Sequence, residues 1–266
     1  MDTEFAVSFV SGGDETLCAA AAAAAFARLD ELELLLTRFN DTSDVAVIRG
    51  LKPGDVAVVA RETMEVLTVS AEVCAATNGA FDPTVKARNF SSLVLDTDNL
   101  RVAVKDAPVE LDFGGVGKGY ALDEMAALLR SEQYALDGWL LDAGTSTLLA
   151  SGGPWPLGVG GVWKSRTRLP TVLNLSSGAL SGSGFEIQGA HILDPRTGAP
   201  AVRWAQSWAR ARSAAVADAL STAALSLSPD ELSAAAESLD AAILVARRQR
   251  PFMDRFRDPL KWYGNP

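Results

Sequence analysis

Four glycines within six positions, Gly114, Gly115, Gly117 and Gly119, constrain this chain more than any other feature. They lie in Leu111-Asp112-Phe113-Gly114-Gly115-Val116-Gly117-Lys118-Gly119-Tyr120-Ala121-Leu122-Asp123. Alternating apolar residues lead in and helix formers lead out, so the segment reads as a strand near 109 to 113, a tight turn, and a helix from about 118 to 131. Without Cβ atoms, such a turn lets backbone N–H groups approach a phosphate, and the helix N-terminus adds a favourable dipole. The spacing is not that of a P-loop, because Asp112 stands where the first glycine belongs and Gly119 where Ser or Thr belongs. It is not GxGxxG either, since Tyr120 fills the last glycine. From the residues alone, the segment is either an anion site or a structural turn.

The flanking sequence alternates strand and helix signals. A strand is expected over about 4 to 10, followed by a helix over about 16 to 38 with Phe26, Leu29, Leu32 and Leu36 on one stripe. A second helix over about 60 to 78 stops at Asn78-Gly79. Strands are expected near 92 to 95, 101 to 104, 138 to 142, 147 to 150, 156 to 162, 171 to 175, 203 to 212 and 240 to 246. Helices fill about 213 to 227 and 229 to 238. With no fixed repeat and no long linker, residues 1–266 read as one compact α+β unit of mixed sheets with packed helices. A chain of 266 residues can bury about 70–75% of its unfolded surface, so a substantial core is expected.

Charge and hydropathy exclude several classes of function. Thirty-three acidic against 24 basic residues give a net charge of −9, which offers no broad footprint for nucleic acid. The start, Met1-Asp2-Thr3-Glu4, lacks the basic stretch of a secretory signal, and no apolar run reaches the ~18 residues of a membrane span. A cytoplasmic protein is the expectation. Cys18 and Cys74 stand outside any CxxC or Cys/His cluster and read as buried free thiols.

Two further segments carry chemistry. His191-Ile192-Leu193-Asp194-Pro195-Arg196-Thr197-Gly198 holds the one histidine of the chain, beside a carboxylate that could orient it and an arginine that could pair with that carboxylate or with a phosphate. The same residues could equally form a turn. In Ala217-Asp218-Ala219-Leu220-Ser221-Thr222, Asp218 and Thr222 are one helical turn apart and present a carboxylate and a hydroxyl on one face. That pair suits a hard cation such as Mg²⁺, or else serves the helix itself.

These three segments, with Gly79-Ala80-Phe81-Asp82-Pro83-Thr84-Val85 and the N-terminal Arg38-Phe39-Asn40-Asp41-Thr42-Ser43-Asp44, occur in the order found in the ApbE family of flavin transferases, which this chain resembles over most of its length. The resemblance implies an ApbE-like fold and Mg²⁺-dependent transfer of FMN from FAD, with release of AMP, onto a threonine or serine of an acceptor protein. It implies that Gly114, Gly115, Val116, Lys118, Gly119 and Asp123 lie at the FAD, together with Phe81, Asp82, Ser183 and Arg196. By the same resemblance the Gly117 carbonyl, Asp218 and Thr222 ligate Mg²⁺. His191 and Asp194 stand at the reacting phosphate, with His191 placed to accept the hydroxyl proton. The chain differs from the family where Gly144-Thr145-Ser146 replaces Gly-Gly-Asp, where Gly182-Ser183-Gly184 replaces Thr-Ser-Gly, and where Ala46 and Arg49 replace a serine and an asparagine. Two alternatives stay open: an FAD-binding protein without turnover, and a pyrophosphatase that splits FAD into FMN and AMP.

Overall fold

The computed structural model describes residues 3–10, 13–84, 88–134, 136–144, 146–159, 171–184, 192–247 and 260–265. The expected positions His191, Thr145 and Val85 lie outside the described residues. In chain order the elements are β1 (Ala6–Phe9), α1 (Glu15–Leu36), α2 (Asp44–Gly50), β2 (Val56–Val58), α3 (Arg61–Ala76), β3 (Leu93–Asp96), β4 (Arg101–Val104) and α4 (Gly117–Leu129). There follow β5 (Trp139–Asp142), β6 (Thr147–Val159), β7 (Thr171–Gly184), β8 (Gln206–Ala211), α5 (Ala214–Ala224), α6 (Pro229–Ser238), β9 (Ala242–Ala246) and β10 (Leu260–Tyr263).

Local chemistry accounts for the helix starts. The Asp14 carboxylate accepts from the N–H groups of Thr16 and Leu17 at 2.8 and 3.2 Å and so caps α1. Ala21, Ala25, Leu32 and Leu36 form the buried stripe of that helix, with Phe26 and Leu29 packed half-buried beside it. At α6, Ser228 and Glu231 form a reciprocal capping box with Pro229 in the first turn.

Seven strands form one sheet in the order β1-β5-β6-β7-β8-β9-β10, and β2-β4-β3 form a smaller one. The α+β class holds. Every pairing among the described strands is antiparallel, so the parallel pairs that a mixed sheet needs are not found among them. From β5 onward each strand pairs with its successor and each such pair is antiparallel, including β8 and β9, between which α5 and α6 lie. The short strands expected near 147 and 156 are one 13-residue strand with a register shift between Ser151 and Trp155, and β7 extends well past the expected 175. The strand expected over 109 to 113 does not form. Val109, Leu111 and Phe113 are buried alternately as the pattern required, but the Asp112 N–H donates to the Pro83 carbonyl at 2.7 Å and Phe113–Gly115 closes into a 3₁₀ turn. The elements α2, β2 and β10 add to those expected from the sequence.

The pleat sorts the large sheet into two faces. Leu149, Ala179, Ala209, Ile243 and Val245 point to the side covered by α4 and α5, while Ala150, Leu180 and Leu244 point to the other, with Trp155, Trp208 and Trp262 packed against them. Helix α5 lies across β7 and β8 and against α4, which in turn packs on α1. Among the described residues no helix is long and apolar enough to cross a membrane. Cys18 and Cys74 are free thiols, half-buried rather than fully buried, and burial pushes the Cys74 thiol up.

Candidate functional site

Two helix starts meet at the site, and the glycine turn is what allows them to. A Cβ on Gly119 would overlap the backbone carbonyl of Ala214, so only a glycine lets the first turn of α4 come this close to the first turn of α5. The Asp123 carboxylate then binds across the contact. Its oxygens accept from the N–H groups of Ala214 and Ala215 at 2.8 and 2.9 Å and from the Ser213 hydroxyl at 2.7 Å. Those N–H groups have no partner inside their own helix, so Asp123 caps α5 from α4. Burial pushes its carboxyl above the ordinary range, although these three donors pull it back.

With α5 pinned in this way, Asp218 stands one turn into the helix, 2% exposed, over the glycine turn. Its Oδ2 accepts from the Gly119 N–H at 3.1 Å and lies 3.5 Å from the Lys118 ammonium. Its Oδ1 accepts from the Thr147 hydroxyl at 3.1 Å and lies 3.4 Å from the Ser181 hydroxyl. Lys118 also donates to the Gly114 carbonyl at 2.8 Å. Thr222 follows one turn later, and a Cβ placed on Gly115 would stand 3.4 Å from its hydroxyl and 3.4 Å from the Phe81 ring. Gly114, Gly115, Gly117, Lys118, Gly119, Phe81, Asp218, Thr222 and Ser183 therefore gather at one place, with the Ser183 hydroxyl 3.4 Å from that of Thr222. Val116 is fully buried below the turn.

The expected residues do not all face this centre. Both oxygens of Asp123 are taken up by the start of α5, so it holds a helix in position rather than facing the open side of the turn. Asp82 is buried and its Oδ1 accepts from the N–H and hydroxyl of Thr84 at 2.7 and 2.6 Å, which folds the segment after Phe81. Asp194 and Arg196 form a forked ion pair, with Nε to Oδ1 at 3.0 Å and Nη2 to Oδ2 at 2.9 Å. Arg196 continues to Glu231 at 2.6 Å and to the Ser226 carbonyl at 3.4 Å, beyond the C-terminal end of α5. Burial pushes the Asp194 carboxyl up, but hydrogen bonds and charge from Arg196 outweigh it and hold the carboxyl below its ordinary value. This pair reaches the turn through the Asn78–Asp82 segment, where a Cβ on Gly79 would stand 3.8 Å from the Arg196 side chain.

A cleft of about 500 Å³ opens in front of the turn, between Thr37, Arg38 and Phe39 after α1 and Asp112, Phe113, Gly114, Gly117 and Lys118. That volume lies within the ~300–1,000 Å³ typical of small-molecule sites. Arg38 bridges its mouth to Asp112 at 2.9 Å and stacks on Phe39, 4.9 Å from the ring centroid. Phe39 is 85% exposed. Arg49, which replaces an asparagine of the family pattern, reaches Asp41 at 3.1 Å and the Arg38 carbonyl at 3.4 Å and so braces this loop. At Gly182, another departure, a Cβ would stand 2.9 Å from the Trp208 ring, which leaves no room there for the family's threonine.

The donors around Asp218 and Thr222 are oxygens: one carboxylate, hydroxyls and backbone carbonyls. That set fits a hard divalent cation such as Mg²⁺, which asks for few protein ligands and keeps sites for water and phosphate. Among the described residues no three His, Cys, Asp or Glu side chains cluster as a metal site, so a softer or fully protein-ligated metal has no such cluster among them to bind. Sequence reading missed Thr147, Ser181 and Ser221, whose hydroxyls meet Asp218 and one another. The signal for Ser181 was its phase: it shares the alternation of the buried Ala179 rather than that of an exposed face.

Comparison with known proteins leads to the same group. The sequence model of the ApbE family matches residues 1–89 and 86–245. The FAD:protein FMN transferase of Klebsiella pneumoniae (strain 342) is 25% identical over 244 residues, spanning 75% of this chain and 68% of the relative. The FAD:protein FMN transferase of Escherichia coli (strain K12) is 25% identical over 207 residues, 62% of this chain and 56% of the relative. Among solved structures, the flavin transferase ApbE from Vibrio cholerae has a TM-score of 0.80 at 18% identity, covering 99% of this chain and 94% of that one. The apbe protein from Thermotoga maritima has a TM-score of 0.75 at 24% identity, covering 96% of each chain. At these identities the structural likeness establishes the fold.

Proposed function

The chain belongs to the ApbE family and is a transferase by that membership, and from this premise we propose that it is a Mg²⁺-dependent FAD:protein FMN transferase. The observation that carries the reading is the meeting of the glycine turn with Asp218 and Thr222, where the Gly119 N–H binds the Asp218 carboxylate at 3.1 Å. FAD occupies the cleft before the turn, its diphosphate against Gly114, Gly115, Gly117 and Lys118 and its flanking groups near Phe81 and Ser183. Asp218, Thr222 and the Gly117 carbonyl hold Mg²⁺, which when bound neutralises charge on the diphosphate and on the departing phosphate oxygen.

In the reaction, the hydroxyl oxygen of an acceptor threonine or serine forms a bond to the FMN-side phosphorus. The bond from that phosphorus to the bridging oxygen breaks, and AMP leaves with that oxygen. His191 receives the hydroxyl proton, as an imidazole near neutral pH can. Asp194 is a poor proton acceptor here, because Arg196 holds it in its charged form; its role is to close the Asp194–Gly198 turn, where it accepts from the Arg196 N–H and side chain. The Lys118 ammonium brings positive charge to the diphosphate, and Asp123 holds α5 so that Asp218 stays over the turn.

The test is incubation of the purified protein with FAD, Mg²⁺ and a flavin-accepting protein. Covalent FMN on the acceptor together with stoichiometric AMP is expected. AMP formed equally well without acceptor would identify a pyrophosphatase instead, and flavin binding without either product a binding protein.

A further inference from the structure

We propose that a string of hydroxyls beneath α5, Thr147, Ser181, Ser221 and Ser183, positions Asp218 and Thr222 as a pair and turns the Thr222 oxygen toward a divalent cation. This rests on the function proposed above.

The string is a consequence of sheet register. Thr147 on β6 and Ser181 on β7 are directly opposed, as are Ser183 on β7 and Ser207 on β8, and all four lie on the face that α5 covers. Thr147, Ser181, Ser207 and Ser221 are completely buried, among Leu149, Ala179 and Ala209. A hydroxyl in such surroundings is unfavourable unless it is hydrogen-bonded, so four of them in one patch of core call for a purpose beyond packing.

Each hydroxyl has one proton to donate and can accept, and the carboxylate settles the direction. Asp218 Oδ1 accepts from Thr147 at 3.1 Å, which leaves the Thr147 oxygen to accept from Ser181 at 2.9 Å. Ser181 then accepts from Ser221 at 3.2 Å, Ser221 from Ser183 at 2.9 Å, and Ser183 from Thr222 at 3.4 Å. Every proton in the string points toward Asp218. Ser221 and Thr222 share those same single protons with the Asp218 carbonyl, at 3.0 and 3.2 Å, as three-centre bonds, and Ser207 donates to the Ser221 carbonyl at 2.6 Å. Thr222 heads the string with its one proton shared between Ser183 and the Asp218 carbonyl, so its lone pairs remain for a cation. Asp218, at the other end, is held by donors on both oxygens.

The experiment measures Mn²⁺ affinity, in the presence of FAD, by the electron paramagnetic resonance of the free ion. Thr147→Val and Ser181→Ala should each weaken Mn²⁺ binding about 10-fold or more, the usual effect of removing a group that orients a metal ligand. Thr147→Ser should restore it, and FAD binding in chelator should be unchanged in all three. Thermal melting identifies variants that fail to fold, in which case Ser221→Ala, which puts a better helix former on α5, carries the test. Folded variants that bind Mn²⁺ as tightly as the unaltered protein would overturn the inference and leave the proposed function standing. An unaltered protein that binds no Mn²⁺ with FAD present would overturn both.

Discussion

Replacing Gly119 by alanine is the smallest change that should separate the two halves of the site. The new Cβ would overlap the Ala214 carbonyl oxygen and stand 2.7 Å from the Ala215 nitrogen, and both obstacles are backbone, which cannot rotate aside. Overpacking of this kind costs about 1–3 kcal/mol. Helix α5 must shift to relieve it, and the 3.1 Å bond from the Gly119 N–H to the buried Asp218 carboxylate is lost, for about 1.5–3 kcal/mol more. Removing a glycine from a helix returns about 0.5–1 kcal/mol. The net loss is roughly 2–5 kcal/mol, which for a chain of this size lowers the melting temperature by on the order of 10 °C. Divalent-cation binding should fall with it. The control is Gly50→Ala at the end of α2, where nothing lies within 4 Å of the added carbon and stability should rise by up to ~1 kcal/mol. Calorimetry and Mn²⁺ titration read both quantities. A Gly119→Ala protein that melts at or above the unaltered one and binds Mn²⁺ normally would refute the claim that close approach of α4 and α5 builds the site.

Asp123→Asn should lower stability by about 1–2 kcal/mol in urea titration, because an amide can no longer accept from all three donors at the start of α5. Arg196→Leu should raise the Asp194 carboxyl, since burial is then opposed only by the backbone N–H of residue 196 and the charge of Arg88. In the unaltered protein the stability from this group is complete above its ordinary value of 3.8 and is lost as pH falls through the lower folded value; denaturation across the acid range should show that loss shrink in the variant. Lys118→Met should weaken FAD binding by about 10-fold or more, read by quenching of flavin fluorescence, because a charged hydrogen bond contributes about 1.5–3 kcal/mol. Unchanged affinity would remove Lys118 from the diphosphate.

Much of the fold is legible in the sequence because its signals are local. The spacing of Leu32 and Leu36 places one face of α1 in the core, and Asn78-Gly79, with positive φ at both residues, ends the segment after α3 as its composition demands. Alternation at Val109, Leu111 and Phe113 reports burial correctly but not pairing, since a strand needs a partner and the backbone at Asp112 found Pro83 instead. The four-residue β10 is too short to give a period of its own, and its place depends on β9. At the site, the glycine turn and the Asp218/Thr222 spacing could be read as chemistry, whereas the role of Asp123 depends on a helix more than 90 residues away. The hydroxyl string was hidden for the same reason: Thr147 and Ser181 become neighbours only once β6 and β7 are in register.

A single cation site shared by α4 and α5 is central to the proposed function, and the most direct test is a crystal of the protein grown with FAD and Mn²⁺, examined by anomalous scattering. One peak bonded to the Asp218 carboxylate and the Thr222 hydroxyl, with the FAD diphosphate on its open side, is the predicted result. A peak held by other residues, or a flavin bound away from the glycine turn, would contradict it.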